Sequence, residues 1–363
     1  MQKRINDFKK QLNKQKLDAL IISDVAHIAY LTGFSNFYGP EREAFLFLTK
    51  GKQFILTDGR YSEPVRNLVK NFELLEISST KSLKKIFEDL AKELKIKKVG
   101  IEDSNLTHKE YKRLSGYFKL INVDLTNKRS VKSSAEIDLI EKACELGDRT
   151  FTHISKRIKK GITEKKLAFE IEFFIKKSGG DISFPPLVAF DNNSSIPHHR
   201  SGDRALDKKD GQFVMFDFGT KVDGYCSDMT RTIFFGKTSP KQKDIYKIVK
   251  EAQQKAIDYI SKQLSVNKKI KAADVDKIAR EYILEKGYPT IPHSLGHGIG
   301  LEVHERPSLS PKSKDYLENG MVFSIEPGIY IPDFGGVRIE DLFVIESKRL
   351  RQLTKSSKEL IEI

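Results

Sequence analysis

The C-terminal part of the sequence contains the same order of features twice: a helix that ends in glycine, a histidine-bearing segment, and two strands joined by a turn. The helical patterns cover residues 163–179 and 272–287, and a glycine at the end of each is a common C-terminal stop. The histidine-bearing segments are residues 197–200 and 292–304. An internal two-fold repeat is the simplest explanation of this order.

The first predicted hairpin carries one aspartate on each strand, Asp217 and Asp228. If residues 221–224 form a four-residue loop, these two aspartates stand directly opposite each other. Directly opposed residues on one face have Cβ atoms about 4.5–5.5 Å apart. Two like charges at that distance are unfavourable unless a cation lies between them.

The second predicted hairpin carries Glu326 and Glu340, and the midpoint between them, Asp333, lies within the turn. Four carboxylates that converge in one cavity are costly without cations, and two divalent ions would balance their charge. Carboxylates combined with an imidazole suit Mn²⁺, Co²⁺, Fe²⁺ or Zn²⁺. A pair of such ions about 3.5–4 Å apart can activate a water molecule and polarise a carbonyl group. A single acidic residue on a hairpin is usually solvated, but two hairpins of this kind favour a metal site.

The remainder of the chain divides by composition. Residues 1–125 alternate short apolar runs with helical patterns, which favours a small α/β domain. The polar stretch 126–134 is expected to be a linker, and residues 135–363 are expected to form the second domain. A chain of 363 residues is long enough for two domains. A serine followed by a proline at 239–240 predicts the start of the helix that joins the two repeats.

Composition excludes some classes of protein. The net charge of +14 is compatible with a nucleic-acid surface. Lysines interleaved with acidic residues on solvated helix faces explain it more simply, and we expect no nucleic-acid partner. Because the sequence has no apolar run of about 18 residues and no signal peptide, we expect no membrane association. Two cysteines, Cys144 and Cys226, form no recognisable disulfide framework, so a cytoplasmic location is expected.

Four segments resemble the metal-binding blocks of the pita-bread metallopeptidases: FDFGTKVDGYCSDMTRT, HSLGHGIGLEVHE, FSIEPGIY and GGVRIED. Within that family the chain is similar to the proline-specific branch, the Xaa-Pro aminopeptidases and prolidases. The preceding α/β domain disfavours the shorter methionine aminopeptidases. The resemblance implies an α/β N-terminal domain followed by an α+β pita-bread catalytic domain with an internal two-fold repeat. It also implies a homodimer.

The resemblance further implies five metal ligands: Asp217, Asp228, His297, Glu326 and Glu340. Asp228 and Glu340 would bridge two divalent ions. Asp217 would chelate one ion, and His297 with Glu326 would bind the other. Manganese is the first candidate for the metal, with cobalt, zinc and iron as alternatives.

The same resemblance implies three catalytic residues. Glu326 would be the general base as well as a ligand, His198 would contact the scissile region, and His304 would stabilise the tetrahedral intermediate. The function implied is that of a dinuclear metal-dependent Xaa-Pro aminopeptidase, which uses a metal-bridging hydroxide to cut peptides that have proline at the second position. The alternatives are an Xaa-Pro dipeptidase (prolidase) and a non-catalytic pita-bread homologue.

Several neighbouring residues remain open at this stage. His199 has no motif role and is expected to be solvated or to pack within a loop. His293 lies in the pocket or supports the metal ligands. Arg338 pairs either with a ligand carboxylate or with a neighbouring acid. Prolidases of this family typically carry an arginine at the position of Ser308, where it can meet a dipeptide's carboxylate, although Arg306 could take over that contact.

Overall fold

The computed structural model describes residues 1–39, 41–207 and 211–363. The described residues form two units, Met1–Lys128 and Arg129–Ile363. No helix among them is both long enough and apolar enough to cross a membrane.

The first unit is built around a six-stranded mixed sheet, as the alternation of apolar runs and helical patterns predicts. Its strands are β1 (Ala19–Ile22), β2 (Ala44–Thr49), β3 (Gln53–Asp58), β4 (Glu73–Ile77), β5 (Lys98–Ile101) and β6 (Lys119–Asn122). They lie in the order β4-β3-β2-β1-β5-β6. Strands β1 and β2 are buried at every position, which is expected for apolar strands that are covered on both faces.

Five α-helices accompany this sheet among the described residues. They are α1 (Gln2–Lys14), α2 (Val25–Thr32), α3 (Gly59–Leu68), α4 (Leu83–Glu93) and α5 (His108–Leu114). The predicted helix at 82–94 corresponds to α4, which begins after Ser82 because the serine side chain accepts a hydrogen bond from the main chain of Lys85. Phe87 of α4 packs against Phe45 and Phe47 of the sheet.

Four long helices form the α component of the second unit. They are α6 (Ser134–Ser155), α7 (Glu164–Lys177), α8 (Pro240–Ser265) and α9 (Ala272–Glu285). Helix α6 contacts α7, and α8 contacts α9. Ser239 caps α8 and proline is its first residue, as predicted. Gly179 and Gly287 follow α7 and α9 with φ angles of 86° and 80°, a left-handed conformation that glycine adopts without strain.

The strands of the second unit form two larger sheets and three short ones. They are β7 (Asp181–Ile182), β8 (Leu187–Phe190), β9 (Gln212–Phe218), β10 (Thr220–Val222), β11 (Tyr225–Cys226), β12 (Met229–Phe235), β13 (Ile270–Lys271), β14 (Gly296–Gly298), β15 (Glu305–Leu309), β16 (Tyr316–Leu317), β17 (Val322–Ile325), β18 (Gly328–Ile331), β19 (Gly335–Arg338), β20 (Asp341–Glu346) and β21 (Arg349–Gln352). The larger sheets have the orders β12-β9-β8 and β15-β14-β17-β20-β21. Helix α7 precedes the β9/β12 pair and α9 precedes the β17/β20 pair, so the internal repeat predicted from the sequence is confirmed in element order.

The first hairpin differs from the prediction in its register. Its turn is the two-residue pair Asp223–Gly224, both with positive φ, between strands that pair Val222 with Tyr225. Asp217 consequently lies opposite Thr230, and the predicted direct opposition of Asp217 and Asp228 is wrong. An Asp-Gly pair favours the tight turn whose twist matches that of the strands. The two aspartates become diagonal neighbours on one face, still close enough to interact.

The second hairpin has the predicted register. The ladder before the two glutamates pairs Ile325 with Asp341, and the ladder after them pairs Gly328 with Arg338. The same register brings Glu326 opposite Glu340. Sequence symmetry about the turn is therefore a correct guide to the second hairpin, although it fails for the first.

The polar stretch between the two sequence regions is not solvated along its length. The side chains of Arg129 and Lys132 are only 6% and 1% exposed, and both pair with the buried carboxylate of Glu305 at 3.1 Å. A polar composition suggested a linker, but burial of charged groups in mutual ion pairs is compatible with packed structure. These two ion pairs hold Glu305, which directly follows His304.

Candidate active site

The structure brings the five predicted ligands together on one wall of a cavity of about 660 Å³. Asp217 is on β9, Asp228 directly precedes β12, His297 is the centre of β14, Glu326 directly follows β17, and Glu340 directly precedes β20. One ligand atom each of Asp228, His297 and Glu340 lies within 4.8 Å of the others. Both halves of the repeat therefore contribute to one cluster.

Two oxygens in this cluster have no hydrogen-bond partner in the described part of the chain. They are Asp228 Oδ1 and Glu340 Oε1, and both are fully buried. Burial, followed by repulsion from neighbouring carboxylates, raises the pKa of Asp228 and of Glu340 well above the ordinary range. Buried unpaired carboxylate oxygens are costly, and divalent cations satisfy such oxygens. The donor set therefore fits a metal site with Asp228 and Glu340 at its centre.

His297 presents one ring nitrogen to the carboxylates. Its Nε2 lies 3.2 Å from Glu326 Oε1 and 3.6 Å from Asp228 Oδ2, while Nδ1 donates to the carbonyl oxygen of Gly298 at 3.1 Å. Burial alone would lower the pKa of His297, but the hydrogen bond and charge of Glu326 raise it to about 9. A main-chain carbonyl that orients the imidazole in this way is a common support for a metal ligand.

Glu326 is held in place from two sides. Burial alone would raise its pKa, but the hydrogen bond and charge of His297 outweigh burial and hold the pKa at about 2. Ser324 Oγ donates to Glu326 Oε1 at 3.0 Å and accepts from the main-chain nitrogen of His297 at 3.0 Å. The carboxylate is therefore ionised and oriented, which a ligand or a general base requires.

Arg338 pairs with a predicted ligand. Its side chain is 4% exposed, and its Nη2 donates to Asp217 Oδ2 at 2.5 Å. Its Nε donates to Thr230 Oγ1 at 2.9 Å, and that hydroxyl in turn donates to Glu340 Oε2 at 2.7 Å. Of the two readings left open by the sequence, the structure supports contact with a ligand carboxylate.

His293 lies in the cavity wall beside Glu326. Its Nδ1 donates to the carbonyl oxygen of Ser294 at 2.8 Å, so the hydroxyl of Tyr330, 2.8 Å from Nε2, is the donor to the other nitrogen. Burial lowers the pKa of His293, which keeps the ring neutral. The tyrosine also accepts from Arg338 Nη1 at 2.8 Å, so a hydrogen-bonded chain joins this imidazole to the arginine.

Sequence reasoning missed a helical pair that fixes the His293 segment. Asp276 and Arg280 of α9 pair at 2.8 Å. Arg280 donates to the carbonyl oxygen of His293 at 2.9 Å, and Asp276 accepts from the main-chain nitrogen of Leu295 at 3.1 Å. An acid and an arginine four residues apart on a helix were visible in the sequence, but their main-chain partners were not.

His198 and His304 both line the cavity. The rings of His304 and His297 meet edge to face, with centroids 4.4 Å apart. Burial lowers the pKa of His304, and the nearby charges of His297 and His198 lower it further. A neutral imidazole next to the ligand cluster can donate a hydrogen bond to an oxygen that develops negative charge.

The residues that line the cavity decide two questions that the sequence left open. His199, expected to be solvated or packed within a loop, lines the cavity and pairs with Glu164 at 2.8 Å. Ser308 also lines the cavity. Arg306 is directed to Asp315, 2.8 Å away, and it is not among the described residues of the wall. Arg306, which could supply a cation in place of Ser308, is therefore paired with Asp315.

Comparisons with known proteins agree with this site. Residues 138–347 match the model of metallopeptidase family M24, and residues 4–131 match the creatinase/prolidase N-terminal domain. The chain is 37% identical over 352 residues to the uncharacterized peptidase YqhT of Bacillus subtilis, covering 95% of this chain and 96% of that protein.

Solved structures with the same fold include two whose names specify a substrate. One is an Xaa-Pro dipeptidase from Bacillus anthracis, with a TM-score of 0.90 and 32% identity, covering 100% of this chain and 99% of that one. The other is an X-Pro aminopeptidase from Thermotoga maritima, with a TM-score of 0.84 and 30% identity, covering 96% and 98%.

Fold, ligand cluster and similarity together define a metal-dependent hydrolase that cleaves peptides. The chain belongs to metallopeptidase family M24 and has a creatinase/prolidase N-terminal domain ahead of its pita-bread catalytic domain. The family and fold implied by the sequence motifs are thereby confirmed.

Proposed function

We propose that the protein is a dinuclear metal-dependent Xaa-Pro aminopeptidase, which removes the N-terminal residue from peptides that have proline at the second position. The observation that carries this proposal is the buried carboxylate cluster, in which two oxygens have no hydrogen-bond partner among the described residues. Ser308 lines the same cavity, and Arg306 is paired with Asp315. The names of the solved relatives support the choice of proline peptides.

The metal would be held by the five predicted ligands. Asp228 and Glu340 would contact both ions, Asp217 one of them, and His297 with Glu326 the other. Manganese is our first candidate, because oxygen-rich donor sets with one imidazole suit it; cobalt, zinc and iron are alternatives. When bound, two divalent ions supply an activated water molecule and polarise the scissile carbonyl.

Side chains of the protein itself would accept the proton and stabilise the developing negative charge. Glu326, ionised and oriented by His297 and Ser324, accepts the proton of the attacking water. His304 donates a hydrogen bond to the oxyanion of the tetrahedral intermediate. His198 contacts the peptide next to the scissile bond and orients it.

Two further proposals rest on the sequence alone: the family resemblance implies a homodimer, and two cysteines without a recognisable disulfide framework favour the cytoplasm. We propose that the protein acts as a homodimer and that it works in the cytoplasm. Sedimentation of the metal-loaded protein tests the first, and fractionation of the source cell tests the second.

Substrate length distinguishes an aminopeptidase from a dipeptidase. An Xaa-Pro dipeptide ends in a carboxylate at the proline, and such a group needs a cationic partner in a partly dry pocket. Ser308 cannot supply one, and Arg306 is held by Asp315. We expect kcat/KM for Ala-Pro-Gly to exceed that for Ala-Pro by about tenfold, or about 1.4 kcal/mol in transition-state binding.

The Ser308→Arg variant sharpens this test. An arginine at this position should raise kcat/KM for Ala-Pro while leaving Ala-Pro-Gly without a comparable gain. The second candidate function, an Xaa-Pro dipeptidase, is favoured by the name of the relative from Bacillus anthracis. A preference of the wild-type enzyme for Ala-Pro of about tenfold or more would make that the correct activity.

Stability as a function of pH tests the metal site without any substrate. Burial, followed by repulsion from neighbouring carboxylates, raises the pKa of Asp228 and of Glu340 well above the ordinary range. In the cation-free protein, the stability due to these raised pKa values is fully present below about pH 4 and is lost as the pH rises through them. A bound cation removes that loss, so we expect the gain in Tm on adding Mn²⁺ to grow between about pH 5 and about pH 8.

An Asp228→Asn variant serves as the comparison for this measurement. The amide removes one buried charge, so the cation-free variant should have a higher Tm than the cation-free wild type at pH 8. Mn²⁺ should then raise its Tm little, because a proposed ligand is gone. An equal Tm gain at every pH, or an undiminished gain in the variant, would contradict the assignment.

A further inference from the structure

Glu164 is a fully buried carboxylate that accepts hydrogen bonds from the last residue of β8 and from the loop that carries His198. It is the first residue of α7 and has no exposed surface. Its two oxygens accept hydrogen bonds from the main-chain nitrogens of Phe190 and Gly202, from Asn193 Nδ2 and from His199 Nε2, at 2.7 to 2.9 Å. A buried carboxylate with four donors is well satisfied, so it fixes His199 firmly.

This contact determines which nitrogen of His199 carries the proton. Glu164 Oε2 already accepts a hydrogen bond from the main-chain nitrogen of Gly202, so we assign Nε2 of His199 as a second donor to this oxygen and Nδ1 as the nitrogen left to accept. Within the described part of the chain, Nδ1 has no hydrogen-bond partner and is not among the fully buried unpaired atoms. Because His199 lines the cavity, this nitrogen offers a hydrogen-bond acceptor to a bound ligand.

His199 and its neighbour in the loop have different partners. The charge of His198 acts on His304, whose ring lies edge to face with that of His297. Among the described residues, the carboxylate that pairs with His199 is that of Glu164. Both histidines line the cavity, and of the two, His199 is the one that Glu164 holds.

A peptide with proline in second position has few main-chain donors to offer. The proline nitrogen forms the scissile bond and carries no hydrogen. The N-terminal amine belongs to the residue before proline, on the other side of the scissile bond. The first N–H beyond the scissile bond belongs to the residue after proline, and a hydrogen-bond acceptor suits that group.

We propose that His199, held by Glu164, is a peptide-binding residue whose Nδ1 accepts a hydrogen bond from the N–H of the residue that follows the substrate's proline. This inference rests on the proposed function and identifies the substrates more closely: peptides of three or more residues, with an N–H after proline. An Xaa-Pro dipeptide has no such group, so His199 favours longer peptides independently of Ser308.

The test removes the N–H from the substrate and the acceptor from the enzyme. The metal-loaded full-length protein is assayed with Ala-Pro-Gly and with its ester analogue, in which glycolate replaces glycine and an oxygen replaces the N–H. We expect the wild type to favour the peptide by about five- to tenfold in kcat/KM, the value of one neutral hydrogen bond. In His199→Phe, which keeps an aromatic ring without the acceptor, this ratio should fall to about one.

A matched control is available outside the cavity. His153 pairs with Glu170 at 2.7 Å, so His153→Phe removes an imidazole–carboxylate pair of the same kind and should keep the wild-type ratio. If His199→Phe fails to fold, His199→Ala replaces it.

The outcomes separate this inference from the proposed function. The inference is overturned if the wild-type ratio of kcat/KM for the peptide to that for the ester is near one. It is also overturned if His199→Phe leaves this ratio unchanged, which is the result expected if His199 binds the N-terminal ammonium. Failure of the metal-loaded wild type to cleave either compound would instead overturn the proposed function.

Discussion

Replacement of Glu326 by alanine is expected to lower kcat for Ala-Pro-Gly by about a thousandfold or more, since general bases alone contribute about 10²–10⁴. The residue holds two proposed roles at once, as a ligand and as the acceptor of the water's proton. Its pKa of about 2 keeps it ionised at neutral pH, and its contacts with His297 and Ser324 fix its orientation.

A second substitution separates the two roles of this residue. Glu326→Gln keeps an oxygen that can face a cation but cannot take up a proton. Glu326→Gln should retain more bound metal than Glu326→Ala, and its kcat should fall by a comparable factor. Glu172→Ala, which removes a surface partner of Lys176, is the control and should behave like wild type. Turnover in Glu326→Gln within tenfold of wild type would exclude Glu326 as the base.

Replacement of His304 by alanine should lower kcat by about 10²–10³ and raise KM by much less, the pattern of a group that acts mainly in the transition state. The ring lies beside His297 and lines the cavity. Its lowered pKa keeps it neutral, so it acts as a hydrogen-bond donor and not as a fixed charge.

His108→Ala is the control for this variant, because His108 is an exposed residue of the first unit. Steady-state kinetics on Ala-Pro-Gly give kcat and KM separately for both. If His304→Ala turns over like the wild type, His304 is a packing residue. If KM rises while kcat is unchanged, His304 contacts the bound substrate as strongly in the ground state as in the transition state.

The order of elements and the convergence of the four carboxylates were predictable from local patterns, whereas the choice of His198, His297 and His304 came from the family resemblance. These patterns are local: apolar runs, glycine stops and the Ser239 cap each lie within a few residues of the element that they predict. The spacing of Glu326 and Glu340 about their turn predicted their opposition. The same reasoning failed for the first hairpin, because the Asp-Gly pair selects a two-residue turn and shifts the pairing by two residues, so that Asp217 lies opposite Thr230 and not Asp228.

The supporting contacts could not be predicted because their partners are distant in sequence. Glu164 and His199 are 35 residues apart, and Lys132 and Glu305 are 173 apart. Each pair consists of charged or polar residues that composition assigns to the surface. Only the folded chain buries them together, and burial then makes these pairs structural.

The measurement that tests the central claim most directly is activity against metal content in one preparation. The full-length protein is stripped with a chelator, its metal content is determined by elemental analysis, and Ala-Pro-Gly hydrolysis is followed while Mn²⁺ is added back. We predict negligible turnover in the stripped protein and full recovery as about two ions bind per chain. Full activity in protein shown to be metal-free would contradict the account.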